Sequence, residues 1–189
     1  PVSSVAVFSR VPVAAIATLA RDISSRTSVA LTRILCACRW GIAPKLTPAE
    51  PDLRAMLARA DAALIIGEPV LCVDAAAQGL RKIDLGVEWK ALTGLPFVYA
   101  MWSGREGACG PEHVEELNRA RARGVADIPA IARAEGGGDQ AREQQALEYL
   151  SDNLQYGLDE QEIKGLRRFH ELAAEQGLVP GLRELRFFS

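Results

Sequence analysis

Ser25, Arg26, Thr27 and Ser28 are four consecutive polar residues, and directly after them Val29, Leu31, Ile34 and Leu35 fall at helical spacing. Hydroxyl residues followed by such a stripe open a helix, here expected from about 26 to 39 and ended by Gly41. The first turn of a helix offers backbone N–H groups without partners and a partial positive charge, which suits an anion. Thr27 and Ser28 add hydroxyl donors that can fork a carboxylate. A plainer reading competes, in which Ser24 or Ser25 does no more than cap the helix. Arg26, at the first turn, either points into a cleft or lies along the surface. Glu68 stands just past the apolar run Ala62 to Ile66, at a strand end where open α/β sheets put ligand-facing groups. A carboxylate there serves as a proton acceptor or as a structural hinge, and both roles stay open.

Other residue types with chemical potential give less. Trp89, Phe97, Tyr99 and Trp102 either line a pocket or fill the core beside their Leu and Val neighbours. His113 and His170 fall on expected helices far from these motifs and read as surface or packing residues. Cys36, Cys38, Cys72 and Cys109 read as reduced thiols, because Cys36 and Cys38 point away from each other on a helix. Neither histidine has a zinc-ligand spacing from any cysteine, so no metal site is expected.

The elements that must position these residues alternate in type. Residues 1–9 read as a short strand, 16–20 as a second, and the helix after Ser25 completes a strand, loop, helix unit. Pro51-Asp52-Leu53 opens another helix to about 58, and Ala62 to Ile66 is a continuous buried strand stopped by Gly67-Glu68-Pro69. A helix over 83–92 and a strand over 97–102 follow. Alternation of this kind implies an α/β protein with a mostly parallel sheet. Three helices rich in Ala, Glu and Arg come last, over 111–134, 140–154 and 159–176, with Glu160, Glu162, Lys164, Arg167 and Arg168 on a solvated face. The 189 residues are 49% hydrophobic, enough for a sizeable core, and 22 basic against 24 acidic residues leave a net charge of −2. No like-charge block suggests nucleic acid or a membrane surface, so a small neutral or anionic molecule is the expected partner. The first residue is Pro1 and the chain reads at once as a strand, which raises the expectation of a segment upstream.

Four blocks resemble the chorismate dehydratase family in order and spacing: Ser25-Arg26-Thr27-Ser28-Val29; Leu64-Ile65-Ile66-Gly67-Glu68; Asp84-Leu85-Gly86 with Glu88-Trp89; and Thr93-Gly94-Leu95-Pro96-Phe97-Val98-Tyr99-Ala100 with Trp102. Pro1-Val2-Ser3-Ser4-Val5 also looks like the family's Gly-Pro-Val-x-Ser segment without its glycine. The resemblance covers nearly the whole chain. It implies a type II periplasmic-binding-protein-like fold, with two α/β lobes of mostly parallel sheet closing on a ligand. On that layout residues 1–13 hold a crossing strand of the first lobe, 14–95 form the second lobe, and 96–189 return to the first lobe and carry the C-terminal helices. The family's N-terminal segment has no counterpart here, so the first lobe is expected to be incomplete. Glu68 departs from the family, which more commonly carries Asp.

The implied activity is that of a cytoplasmic hydro-lyase in the futalosine route to menaquinone, removing water from chorismate without metal or organic cofactor. By resemblance, Ser25, Arg26, Thr27 and Ser28 would bind the substrate's carboxylates, Ser4 would donate a hydroxyl where the chain crosses between lobes, and Glu68 is one of three candidate proton acceptors. The others are the substrate's own enolpyruvyl carboxylate and a residue upstream. Two alternatives come from the same fold: a sister enzyme acting on a cyclised futalosine derivative, and a non-catalytic solute-binding protein. The expected partner is chorismate, with neither nucleic acid nor membrane. The chain is expected to act as a homo-oligomer or with the upstream segment, and turnover by these residues alone is not expected.

Overall fold

In the computed structural model, which describes residues 3–182 and 184–188, five strands form one sheet. They are β1 (Val5–Ser9), β2 (Thr18–Asp22), β3 (Lys45–Ala49), β4 (Ala62–Ile66) and β5 (Arg81–Asp84), in the spatial order β3-β2-β4-β1-β5. β2 pairs parallel with β3 and β4, whereas β1 pairs antiparallel with β4 and β5. Four strands therefore run one way and β1 runs against them. Every residue of β1 is buried, so the strand needs a partner on both edges and cover on both faces. Its place between β4 and β5 supplies the two edge partners.

The described residues form eight α-helices: α1 (Arg26–Leu35), α2 (Leu53–Leu57), α3 (Glu68–Cys72), α4 (Leu85–Thr93), α5 (Pro111–Ala126), α6 (Ile128–Gly136), α7 (Gln140–Glu148) and α8 (Glu160–Glu175). The two-residue period of the strands sorts the core into two sides. Val5, Val7, Leu19 and Leu64 face Leu31, Ile34 and Leu35 of α1, Leu85 and Trp89 of α4, and Leu172 of α8. Ala6, Phe8, Ala20 and Ile65 face Met56 and Leu57 of α2 and Val70 of α3. The sheet is thus the middle of three layers. α1 continues through a π-helical turn, Cys36–Trp40, and ends at Gly41 with φ of 65°, where a residue without Cβ is favoured. Glu88 of α4 accepts from Arg39 Nε at 2.6 Å and from Trp40 Nε1 at 2.8 Å, tying that turn to α4.

The chain divides into two compact units. One comprises residues 3–99 and 160–182, the sheet with α1–α4 and α8; the other comprises residues 100–159 and the described residues after 183, with α5–α7. The strand of segment 1–13 and helix α8 of segment 96–189 thus lie in one unit with residues 14–95. Pro1 and Val2, which open the Pro1–Val5 block, lie outside the described residues. The expected strand over 97–102 is absent: Phe97 and Tyr99 sit in an irregular segment, where Phe97 packs edge-on against Trp89, Tyr99 and Phe169. Glu68 does not simply stop β4 but begins α3. No described helix is long and apolar enough to cross a membrane.

Asp61 pins the start of β2 to the start of β4. Its Oδ2 accepts from the N–H of Ala17 at 3.1 Å and of Thr18 at 2.8 Å, and from the Thr18 hydroxyl at 2.8 Å. In return the Asp61 N–H donates to Thr18 Oγ1 at 3.0 Å. The Thr18 hydroxyl and N–H hold the carboxyl below its ordinary range. A lowered folded-state pKa contributes stability above the unfolded value, which is lost as pH falls through the folded value. Asp61→Ala is expected to lower unfolding stability by about 1–2 kcal/mol near neutral pH, since the site is partly solvated. The deficit should shrink toward about pH 3, as read by urea denaturation at both pH values. An equal deficit at both would show that the charge is not what matters.

Candidate active site

The parallel strands β2 and β4 end at one edge of the sheet, and β1, running the other way, begins there. Val5 pairs with Ile66, and Ala6 pairs with Asp84, the last residue of β5. From β2 the chain passes to β3 on one side and later returns to β4 on the other. Such a reversal of strand order leaves a crevice outside the carboxyl ends of the two strands, where open α/β sheets bind ligands. All six residues proposed from sequence lie on this edge or just beyond it.

Ser4, buried at the start of β1, accepts at its carbonyl from the Gly67 N–H at 2.7 Å. That bond stitches the Ser4 segment to the Gly67–Glu68 corner. Gly67 has φ of 79°, open to a residue without Cβ, and this lets the chain leave β4 and enter α3 within one residue. Glu68 is exposed as the first residue of α3.

Ser25 is the N-cap of α1, and its Oγ accepts from the Ser28 N–H at 3.1 Å. The capping role weighed from sequence is therefore realised by Ser25. Ser28 is buried, and Thr32 Oγ1 donates to its carbonyl at 2.8 Å. The cap takes one first-turn N–H and leaves those of Arg26 and Thr27 without intrahelical partners. Asp22, which sequence reasoning passed over, fixes the approach to this turn: buried at the end of β2, it accepts from the Ser24 N–H at 2.7 Å. Its only sequence signal was a carboxylate two residues before the hydroxyl cluster.

Asp84 closes β5 on the same edge, and its Oδ1 accepts from the Val87 N–H at 2.9 Å to cap α4. A Cβ at Gly86 would stand 3.1 Å from the Tyr99 hydroxyl and 3.2 Å from Asp84 Oδ1. The glycine is thus the place where Tyr99 approaches the helix backbone. Burial, and after it the Asp84 charge, raises the Tyr99 pKa, so the phenol remains a protonated donor at neutral pH. In the sequence alone Asp84-Leu85-Gly86 points to no role, and its one signal is a Gly at the second position of a helix.

The remaining aromatic residues do not join them. Trp89 is fully buried and donates from Nε1 to the Pro96 carbonyl at 3.1 Å, which makes it core, and Phe97 packs against it. Trp102 belongs to the other unit and is 86% exposed. All four cysteines are free, and burial pushes the Cys36 thiol up to about 11. Among the described residues no three His, Cys, Asp or Glu side chains gather where a metal could bind. A cavity of about 770 Å³ adjoins the edge at Ser25 and Arg26 but is lined by neither Ser4 nor Glu68.

These features define the class first: an α/β protein with a layered, four-to-one sheet and a polar strand-end edge suited to a small anion. The sequence pattern of the menaquinone biosynthesis family matches residues 1–175, and the chain belongs to that family. It is 29% identical over 186 residues to the chorismate dehydratase of Thermus thermophilus, across 90% of this chain and 68% of that protein. An Archaeoglobus fulgidus protein solved by X-ray crystallography is similar in structure with a TM-score of 0.65 at 18% identity, covering 93% of this chain and 69% of that one. The second likeness concerns the fold alone.

Proposed function

We propose that this chain is a chorismate dehydratase, a hydro-lyase that eliminates water from chorismate to give 3-[(1-carboxyvinyl)oxy]benzoate in menaquinone biosynthesis by the futalosine route. One observation carries the reading: three separated blocks, Ser25–Ser28, Ile66–Glu68 and Asp84–Gly86, converge on one sheet edge in a chain 29% identical to a chorismate dehydratase. Chorismate brings two carboxylates and a ring hydroxyl. The first turn of α1, with the free N–H groups of Arg26 and Thr27 and the Thr27 hydroxyl, is suited to one carboxylate. Ser4 and Ser28 would donate where the chain is most buried, and Arg26 would pair with the charge from the rim.

Elimination removes a ring proton and the ring hydroxyl as water and leaves an aromatic ring. Aromatisation supplies much of the driving force, so positioning matters more than a strong base. Glu68 is one acceptor for the proton; the substrate's own enolpyruvyl carboxylate, held near the ring, is another. Neither metal nor organic cofactor enters this scheme. The strand order, with one antiparallel strand inserted among four that share a direction, supports reading the sheet unit as a lobe of the type II periplasmic-binding-protein kind. Since so polar a dianion does not cross bilayers unaided, we place the reaction in the cytoplasm.

The test is to express the complete open reading frame, add chorismate to the purified protein, and follow the aromatic product by absorbance. Folded protein that yields no such product would overturn the proposal. Thr27→Val should weaken chorismate binding by about 1.5–3 kcal/mol, the value of a charge-assisted hydrogen bond, with little change in melting temperature. Unchanged kinetic constants would remove Thr27 from the site.

A further inference from the structure

We infer that the flank of α1 carries a second binding groove, for a small organic carboxylate with an aliphatic body, separate from the site of Ser4 and Glu68. The cavity of about 770 Å³ runs along α1 beside β2 and β3 and reaches the segment after α8. Arg21 of β2 and Arg26 and Arg33 of α1 line it, and no Asp or Glu does. Arg26 and Arg33 are two turns apart, about 10 Å along the helix. The positive charge is therefore spread along the groove, well beyond the helix N-terminus. Among the described residues none of the three guanidinium groups pairs with a carboxylate. In a chain with net charge −2, three unpaired arginines around one concavity make a local positive field that draws in anions.

The floor of the groove decides which anions. Val29, Ile42, Leu46 and Leu178 are half-buried there, so part of an apolar surface stays open to water between the charges. An inorganic anion would leave that surface uncovered. A carboxylate on an alkyl chain meets both features, since guanidinium forks bind carboxylates in paired hydrogen bonds and the chain shields the aliphatic side chains. The mouth of the groove adjoins the candidate active site through Ser25 and Arg26. Arg21, Arg33 and the apolar floor take no part in the proposed dehydration.

Octanoate is a suitable probe, titrated into isotopically labelled protein and followed by amide NMR shifts. Saturable shifts are expected around Val29, Arg33 and Leu46, with little response to octylammonium or inorganic phosphate. Arg21→Glu and Arg33→Glu should each weaken octanoate by about tenfold or more, and Arg33→Gln by less, because reversal adds repulsion to the lost bond. Ser4→Ala and Glu68→Gln should leave octanoate affinity unchanged, which keeps this result independent of whether the protein dehydrates chorismate. The inference is overturned by non-saturating shifts, by phosphate or octylammonium binding as well as octanoate, or by unchanged affinity in Arg33→Glu. Binding to phosphatidylglycerol vesicles without binding to monomeric octanoate would overturn it too, by pointing to a membrane.

Discussion

Gly165→Ala is expected to destabilise the protein by about 2–4 kcal/mol, although the same change inside a helix ordinarily stabilises by roughly 0.5–1 kcal/mol. Gly165 lies within α8, where a Cβ would fall 2.1 Å from the Pro96 carbonyl oxygen and 3.3 Å from its carbonyl carbon. The obstacle is backbone, so no side-chain rotation relieves it. The same carbonyl accepts from Trp89 Nε1 at 3.1 Å, so moving Pro96 away from a new methyl group also strains that bond. For a chain of this size the melting temperature should fall by about 2–4 °C per kcal/mol. Guanidinium denaturation checks it, and a variant more stable than the parent would mean that α8 does not press on Pro96.

Trp89→Ala should cost as much or more, about 3–5 kcal/mol. Trp89 is fully buried, with Phe97 edge-on at 5.2 Å and Phe169 at 6.2 Å between ring centroids. Removing it leaves a cavity among rings too rigid to close in and takes the indole donor from the half-buried carbonyl of Pro96. Trp89→Phe retains the ring and loses the indole donor, so it should cost about 1–2 kcal/mol. Turnover by folded Trp89→Phe should stay near the parent's, because Trp89 holds α4 by its middle while the polar edge lies at the helix start. A selective loss of turnover with unchanged stability would put Trp89 in contact with substrate instead.

Legibility in the sequence followed how much of the structural reason was local. β4 is found at its expected residues because Ala62 to Ile66 is an unbroken apolar run, and α1 because Ser25 and Gly41 mark its two ends. β3 was missed: Lys45–Ala49 carries Pro48 and is largely exposed at the sheet edge, so it has neither the composition nor the alternation of a buried strand. The helix expected over 83–92 overlaps the end of β5, because Ile83 and Asp84 lead directly into α4. Phe97, Val98 and Tyr99 have strand-like composition but pair with no strand among the described residues, and the Phe97 ring packs against Trp89, Phe169 and Tyr99 instead. At the candidate site the hydroxyl cluster and Glu68 were legible as types at turns. Asp22 and the Tyr99–Gly86 approach were not, since each depends on segments meeting through the sheet.

β1 also sets the order in which this unit can assemble. Its two neighbours are residues 62–66 and 81–84, so nothing local in sequence can hold it. While the chain is being made, β2, β3 and β4 can join through their own crossovers as they emerge, whereas β1 has no partner until β4 has been synthesised and has both edges covered only once β5 follows. Closing so long a loop carries an entropic cost that grows only slowly with length, yet it comes before any pairing offsets it. Insertion of β1 is then the step that locks β5, and with it Asp84 and the start of α4, to the rest of the sheet. The edge that carries the proposed chemistry is complete only when β1 and β5 are in place, so its Ser4 and Asp84 parts form in the same event that closes the core.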